Sequence, residues 1–154
     1  MEVTKPSLAA ADALVEMWVS LATSQRQHGS HLLASENRAR IRESICHHIA
    51  AGRLLVVRDD LLCGFVMFRP EFGIYEQDRE RGIIENIYVK PEYRDEGVGT
   101  MLLEAAEEEL LSQGVDVISL EVLAANERAQ KLYRSHGYEP HRIELEKRVS
   151  DDRS

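Results

Sequence analysis

The sequence predicts an α/β protein built on a mixed sheet, and three observations carry that prediction. An apolar, β-branched stretch from Gly82 to Val89 stops at Pro91 and passes through Arg94-x-x-Gly97-x-Gly99 straight into a segment with helical periodicity. A second apolar run, Val115 to Val122, follows that helix, and a strand–helix–strand unit joined by a right-handed crossover makes the two strands parallel. Upstream, Leu54 to Arg58 and Leu62 to Phe68 are separated by Asp59-Asp60-Leu61, the spacing of an antiparallel hairpin. The 154 residues are one domain's worth, 1–154, enough to bury about 68% of the unfolded surface around a core.

In chain order, Glu2 to Lys5 is a short strand, and Leu14, Met17, Trp18 and Leu21 recur at helical spacing after a start signal at Pro6-Ser7. Thr23 to Ser35 breaks the period with a polar loop holding His28 and His31, whose ordinary reading is a pair of solvated loop histidines. Ile41, Ile45 and Ile49 mark a second helix ending at Gly52. Its Cys46-His47-His48 string is no metal site, because helical neighbours point about 100° apart. Gly64, inside the hairpin, marks a bulge or a close backbone approach. Phe72 to Arg81 is a second irregular stretch. Leu102, Leu103, Ala106, Leu110 and Leu111 line a long helix that ends at Gly114. Asn126 caps a last helix that ends at Gly137, and Ile143 to Val149 alternates apolar with charged residues as a final strand.

Composition narrows the function. With 44% apolar and 30% charged residues, and no apolar run near the 18 or so needed to span a bilayer, the chain reads as a globular protein with no membrane partner. Met1-Glu2-Val3-Thr4 lacks the basic start of a signal peptide, so a cytoplasmic location is expected. Cys46 and Cys63 fit no metal spacing or secreted disulfide framework and are expected as free, buried thiols. A net charge of −8 without clustered Lys and Arg argues against nucleic acid and would suit a cationic substrate.

Two stretches carry chemistry. A glycine turn ahead of a helix lets successive backbone N–H groups converge on one spot, where the helix dipole favours phosphate oxygens. Arg94, Asp95, Glu96, Gly97, Val98, Gly99 and Thr100 form such a turn, with Arg94 able to add a charge-assisted contact. The second stretch is Leu120-Glu121-Val122, then Asn126, Leu132-Tyr133 and Gly137-Tyr138. Together the two resemble the GNAT superfamily of N-acetyltransferases over about half the chain. The second stretch looks most like the branch that acetylates the N-terminal alanine of a ribosomal protein. No comparable likeness extends to the amino-terminal half.

The resemblance implies a mixed, mostly antiparallel twisted sheet of six to seven strands with about four helices on both faces. It implies acetyl-CoA as co-substrate, no metal, and a primary amine that attacks the thioester directly. The phosphates would lie on residues 94–100 and the pantetheine arm along the backbone of Ile87, Tyr88 and Val89. Asn126 joins this cofactor set, and Tyr133 stands where the family places the general acid. A lone helical tyrosine would otherwise be core. An alkyl ammonium is not a nucleophile at neutral pH, so a proton acceptor is needed. Glu85 and Glu121 each interrupt an apolar strand, where a carboxylate is costly unless paired or used. Either could be the base, and either could instead reach solvent or pair with an arginine. The acceptor stays open between a cationic small molecule and a peptide amino terminus, as does a homodimer. A non-catalytic acyl-CoA-binding sensor, or an enzyme using a longer acyl donor, are the alternatives.

Overall fold

The structure of the chain is a computed structural model, which describes residues 1–71, 73 and 75–150. Of the irregular stretch expected from Phe72 to Arg81, Phe72 and Ile74 lie outside the described residues.

Strands β1 (Glu2–Thr4), β2 (Leu54–Arg58), β3 (Leu62–Pro70), β4 (Arg81–Val89) and β5 (Val117–Leu120) lie side by side in that order. Pairing is antiparallel from β1 to β4 and parallel between β4 and β5. Helices α1 (Ala11–Gln25) and α2 (Arg38–Ala51) precede β2, α3 (Val98–Ser112) crosses from β4 to β5, and α4 (Glu127–Ser135) follows β5. Ser7 accepts from the Ala9 N–H and starts a short 3-10 turn that leads into α1, as the Pro6-Ser7 signal predicts.

Strand alternation sorts the core into two layers. Leu54, Val56, Phe65, Met67 and Tyr88 pack with Leu14, Trp18 and Ile45 of α1 and α2. Leu55, Val57, Val66, Phe68 and Ile84 pack with Leu102, Leu103 and Leu110 of α3 and Tyr133 of α4. The sheet is thus covered on both faces. In the β3–β4 register Met67 faces Asn86 and Phe68 faces Ile84, which leaves Glu85 without an opposite partner, a β-bulge.

The sheet has five strands among the described residues, not six or seven. The difference is the final strand. Residues 139–150 take no regular secondary structure, and Ile143, Leu145 and Val149 are 79%, 89% and 88% exposed. Apolar alternation says which side of a strand would face a core; it does not supply the neighbouring edge that a strand needs. The parallel strand is also shorter than Val115 to Val122, so Glu121 and Val122 fall beyond its end and are exposed.

Candidate active site

Glu85 is held from two sides. His48, on the buried face of α2 one turn after Ile45, brings Nε2 to 2.5 Å from Oε2, while Arg69 of β3 donates from Nε to Oε1 at 2.7 Å. The other ring nitrogen of His48, Nδ1, lies 2.7 Å from the Ser44 carbonyl. A carbonyl can only accept, so Nδ1 carries a proton, and a proton on Nε2 completes an imidazolium facing a carboxylate.

Burial opposes charge on His48, but its hydrogen bonds to Glu85 and the Ser44 carbonyl prevail over burial and nearby Arg53, raising its pKa above 6.5. Burial likewise opposes charge on Glu85, and the bonds and charges of His48 and then Arg69 bring it below 4.5. The signs set a stability window. A raised His48 contributes fully below 6.5 and loses its contribution as pH climbs through the folded value; a lowered Glu85 contributes above 4.5 and loses it as pH falls through its own. The pair therefore stabilises most between those two values. Raising the pH from 6.5 to about 8.5 should lower the melting temperature more in the wild type than in His48→Gln. Parallel curves for the two proteins would show that the pair adds no stability.

The glycine turn lies at the far end of β4. Arg94 donates from Nε to the Val89 carbonyl at 3.2 Å, Asp95 and Gly97 both take the left-handed backbone region (φ 65° and 81°), and Val98 starts α3 from a fully buried position. Among the described residues no side chain caps α3, so its leading N–H groups have no side-chain acceptor there. Apart from its chain neighbours, no atom of the described residues lies within 4 Å of where a Cβ on Gly97 would stand, and one on Gly99 would meet Leu132 Cδ2 at 3.5 Å. Glu96 is exposed and Thr100 half-buried.

Helix α4 closes on the same turn. Asn126 caps it by accepting from the Ala129 N–H at 3.2 Å, and Arg128 reaches Asp95 Oδ1 at 2.8 Å. Tyr133 is 9% exposed and meets Tyr138 edge-on at 6.1 Å; burial pushes its phenol up to about 12. The Tyr133 hydroxyl makes no hydrogen bond among the described residues.

The turn, Asn126 and Tyr133 thus come together on the α3 side, and Glu85 stands on the other face of β4 with His48. Between them β4 and β5 part company: their last pair is Ile84 with Leu120, and β4 continues through Ile87, Tyr88 and Val89 with no β5 residue opposite. Glu121 belongs to neither group. It is exposed beyond β5, so the premise that it lies in a buried strand is corrected. Cys46 is half-buried rather than buried, while Cys63 is buried as expected, and both are free. From the sequence His48 is considered only within a string that cannot bind metal, and Arg69 not at all; the Ile41-Ile45-Ile49 face turns His48 toward the sheet but does not single out Glu85 as its partner.

A Gly-turn helix start at the open end of a splayed parallel pair defines a family of folds. Residues 13–138 match the model of the acetyltransferase (GNAT) family, and the chain belongs to that family. It is 43% identical over 54 residues to a thialysine N-epsilon-acetyltransferase of Bos taurus, 35% of this chain and 32% of that one. It is 39% identical over 67 residues to the [ribosomal protein bS18]-alanine N-acetyltransferase of Escherichia coli K12, 44% of this chain and 45% of the other. These matches span less than half the length of the curated relatives. The fold matches the solved structure of a paiA N-acetyltransferase from Thermoplasma acidophilum in complex with coenzyme A at TM-score 0.75, with 20% identity, covering 93% of this chain and 92% of that one. Among the described residues no helix is long and apolar enough to cross a membrane.

Proposed function

We propose that the chain is a single-domain, acetyl-CoA-dependent N-acetyltransferase that acts on a primary amine. The observation that carries this reading is the parting of β4 from β5 after Ile84, with the uncapped start of α3 at the end of the exposed strand. The leading N–H groups of α3 suit phosphate oxygens, and the open side of Ile87 to Val89 suits the amides of a pantetheine arm, which would lie there as an added strand. Acetyl-CoA supplies an acetyl thioester for an unprotonated amine to attack.

Glu85 and His48 suit the proton transfer that such an attack requires. A carboxylate titrating below 4.5 holds a proton poorly, but coupled to an imidazole titrating above 6.5 it can receive one at Glu85 and pass it to His48 Nε2. Turnover should then rise with pH as the pair loses its proton. Glu85→Gln is expected to remove that rise and leave acetyl-CoA affinity unchanged. If Glu121→Gln alone removes it, Glu121 is the base and Glu85 is structural.

The cofactor site has a separate test. Gly99 has room for a methyl group, so Gly99→Ala should hold its melting temperature while acetyl-CoA affinity drops, because the methyl stands where phosphate and backbone must approach. Calorimetry giving wild-type affinity would move the phosphates elsewhere. The net charge of −8 favours a cationic acceptor, and the amines named for the relatives, thialysine and a protein's N-terminal alanine, head the panel to assay. Release of free thiol from acetyl-CoA with that panel tests the whole reading. Binding of acetyl-CoA without thiol release would favour the non-catalytic sensor.

A further inference from the structure

Part of the sheet face that carries Glu85 is left uncovered by α1 and α2. Phe65 and Met67 of β3 lie beneath those helices, but Arg69, the next residue of β3 on that side, has a side chain 42% exposed. Register sets Arg69 beside Ile83 of β4 and Ile83 beside Ser119 of β5, so the three form one row across the sheet. Ile83 and Ser119 are both half-buried. In the next row Arg81 stands beside Val117, and its Nε is turned to Glu71 Oε1 at 3.5 Å. Arg69 is different. It gives Nε to Glu85, and its two Nη groups donate to nothing among the described residues.

The charge at this spot is the reverse of the chain's. Arg69 already neutralises Glu85, and His48 adds a positive charge whenever it is protonated, so the three together are neutral or positive in a chain of net charge −8. The overall field draws amines toward the protein, but the trio has no negative charge to spare for one. A molecule that brings an anionic group along with its amine restores the balance, and the unused side of a guanidinium matches the two oxygens of a carboxylate.

We propose that the acceptor is an ω-amino acid, with its amine received at Glu85 and its carboxylate held by the Nη groups of Arg69. This rests on the acetyltransferase reading and narrows the amine. Because Arg69 Nε lies 2.7 Å from Glu85 Oε1, a carboxylate on the Nη side stands roughly 5 to 8 Å from an amine hydrogen-bonded to that glutamate. An α-amino group lies too close to its own carboxylate for that, whereas about three to five methylene groups span the distance. Ile83, beside Arg69 in the row, gives those methylenes an apolar surface to cross.

Thiol release from acetyl-CoA with δ-aminovalerate and with its isosteric neutral amide tests this. The wild type is expected to use the acid roughly 10- to 100-fold better in kcat/KM, and Arg69→Gln should bring the ratio of the two close to one. The ratio is the informative quantity, because whatever the loss of the Arg69–Glu85 bond does to catalysis acts on both acceptors and cancels. Valerate should also compete with δ-aminovalerate in the wild type where valeramide does not, a comparison that needs no variant to fold. Equal use of acid and amide by the wild type overturns the inference and leaves the acetyltransferase reading standing. A preference for the acid that survives in Arg69→Gln overturns it too, since the carboxylate would then be held by another group. Absence of thiol release with every amine tried overturns both.

Discussion

Gly64→Ala is expected to lower the melting temperature by about 6 to 12 °C, the equivalent of about 3 kcal/mol in a chain of this size. The cause is space, not backbone angle. A Cβ on Gly64 would stand 2.4 Å from the Tyr88 carbonyl oxygen, 3.3 Å from Val89 Cα and 3.1 Å from Leu102 Cδ1. The leucine can turn aside, but the carbonyl belongs to β4 and is fixed by the pairing of Gly64 with Val89 and Phe65 with Tyr88. Relief therefore means moving the end of β4 away from β3. Since that end leads into the turn at residues 94–100, acetyl-CoA affinity should fall together with stability if the proposed site is right. A melting curve that overlays the wild type would mean that β4 has slack here, and the close approach would lose its structural importance.

Tyr133→Phe is expected to lower turnover roughly 10- to 100-fold with acetyl-CoA affinity nearly unchanged. A phenol titrating near 12 remains protonated throughout the working range. Handing that proton outright to a thiolate, whose conjugate acid titrates near 8.5, is uphill, so the benefit expected of the proposed role is that of a hydrogen bond to developing negative charge. Such a bond is worth about 1.5–3 kcal/mol, which gives the stated range. The ring has a second part to play. It packs within the α3 layer against Tyr138, so Tyr133→Ala should cost about 3–5 kcal/mol of stability whatever the hydroxyl does. A fully active Phe variant leaves the tyrosine as core and nothing more.

The local devices of the fold were legible because each is written in adjacent residues. The hairpin spacing, the Ser7 and Asn126 caps, the left-handed Gly97 and the helix ends at Gly52 and Gly137 all follow from what a few neighbouring residues can adopt. Glu85 stood out for the same reason, as one carboxylate in an apolar strand. Its partners did not. His48 lies 37 residues away and Arg69 16 residues away, and the contact depends on how α2 is laid across the sheet, which no local pattern records. Glu121 shows the opposite failure. The apolar run around it promised a strand, but whether a carboxylate in that run is buried depends on where pairing with β4 stops, and it stops at Leu120. The tail fails similarly, since alternation without a neighbouring edge does not make a strand.

The bulge in β4 allows a piece of counting. Ile84 and Ile87 both belong to the α3 layer although they are three residues apart, an odd interval that would put them on opposite faces of a regular strand. The extra residue restores their agreement, and Asn86 opposite Met67 and Ile84 opposite Phe68 show that the ladder closes around it. Remove Glu85, and Ile84, Asn86, Ile87 and Tyr88 would follow one another in plain alternation, each still on its own side. Neither core layer, then, requires that position to exist. The strand is one residue longer than its packing demands, and that surplus residue is the carboxylate gripped by His48 and Arg69.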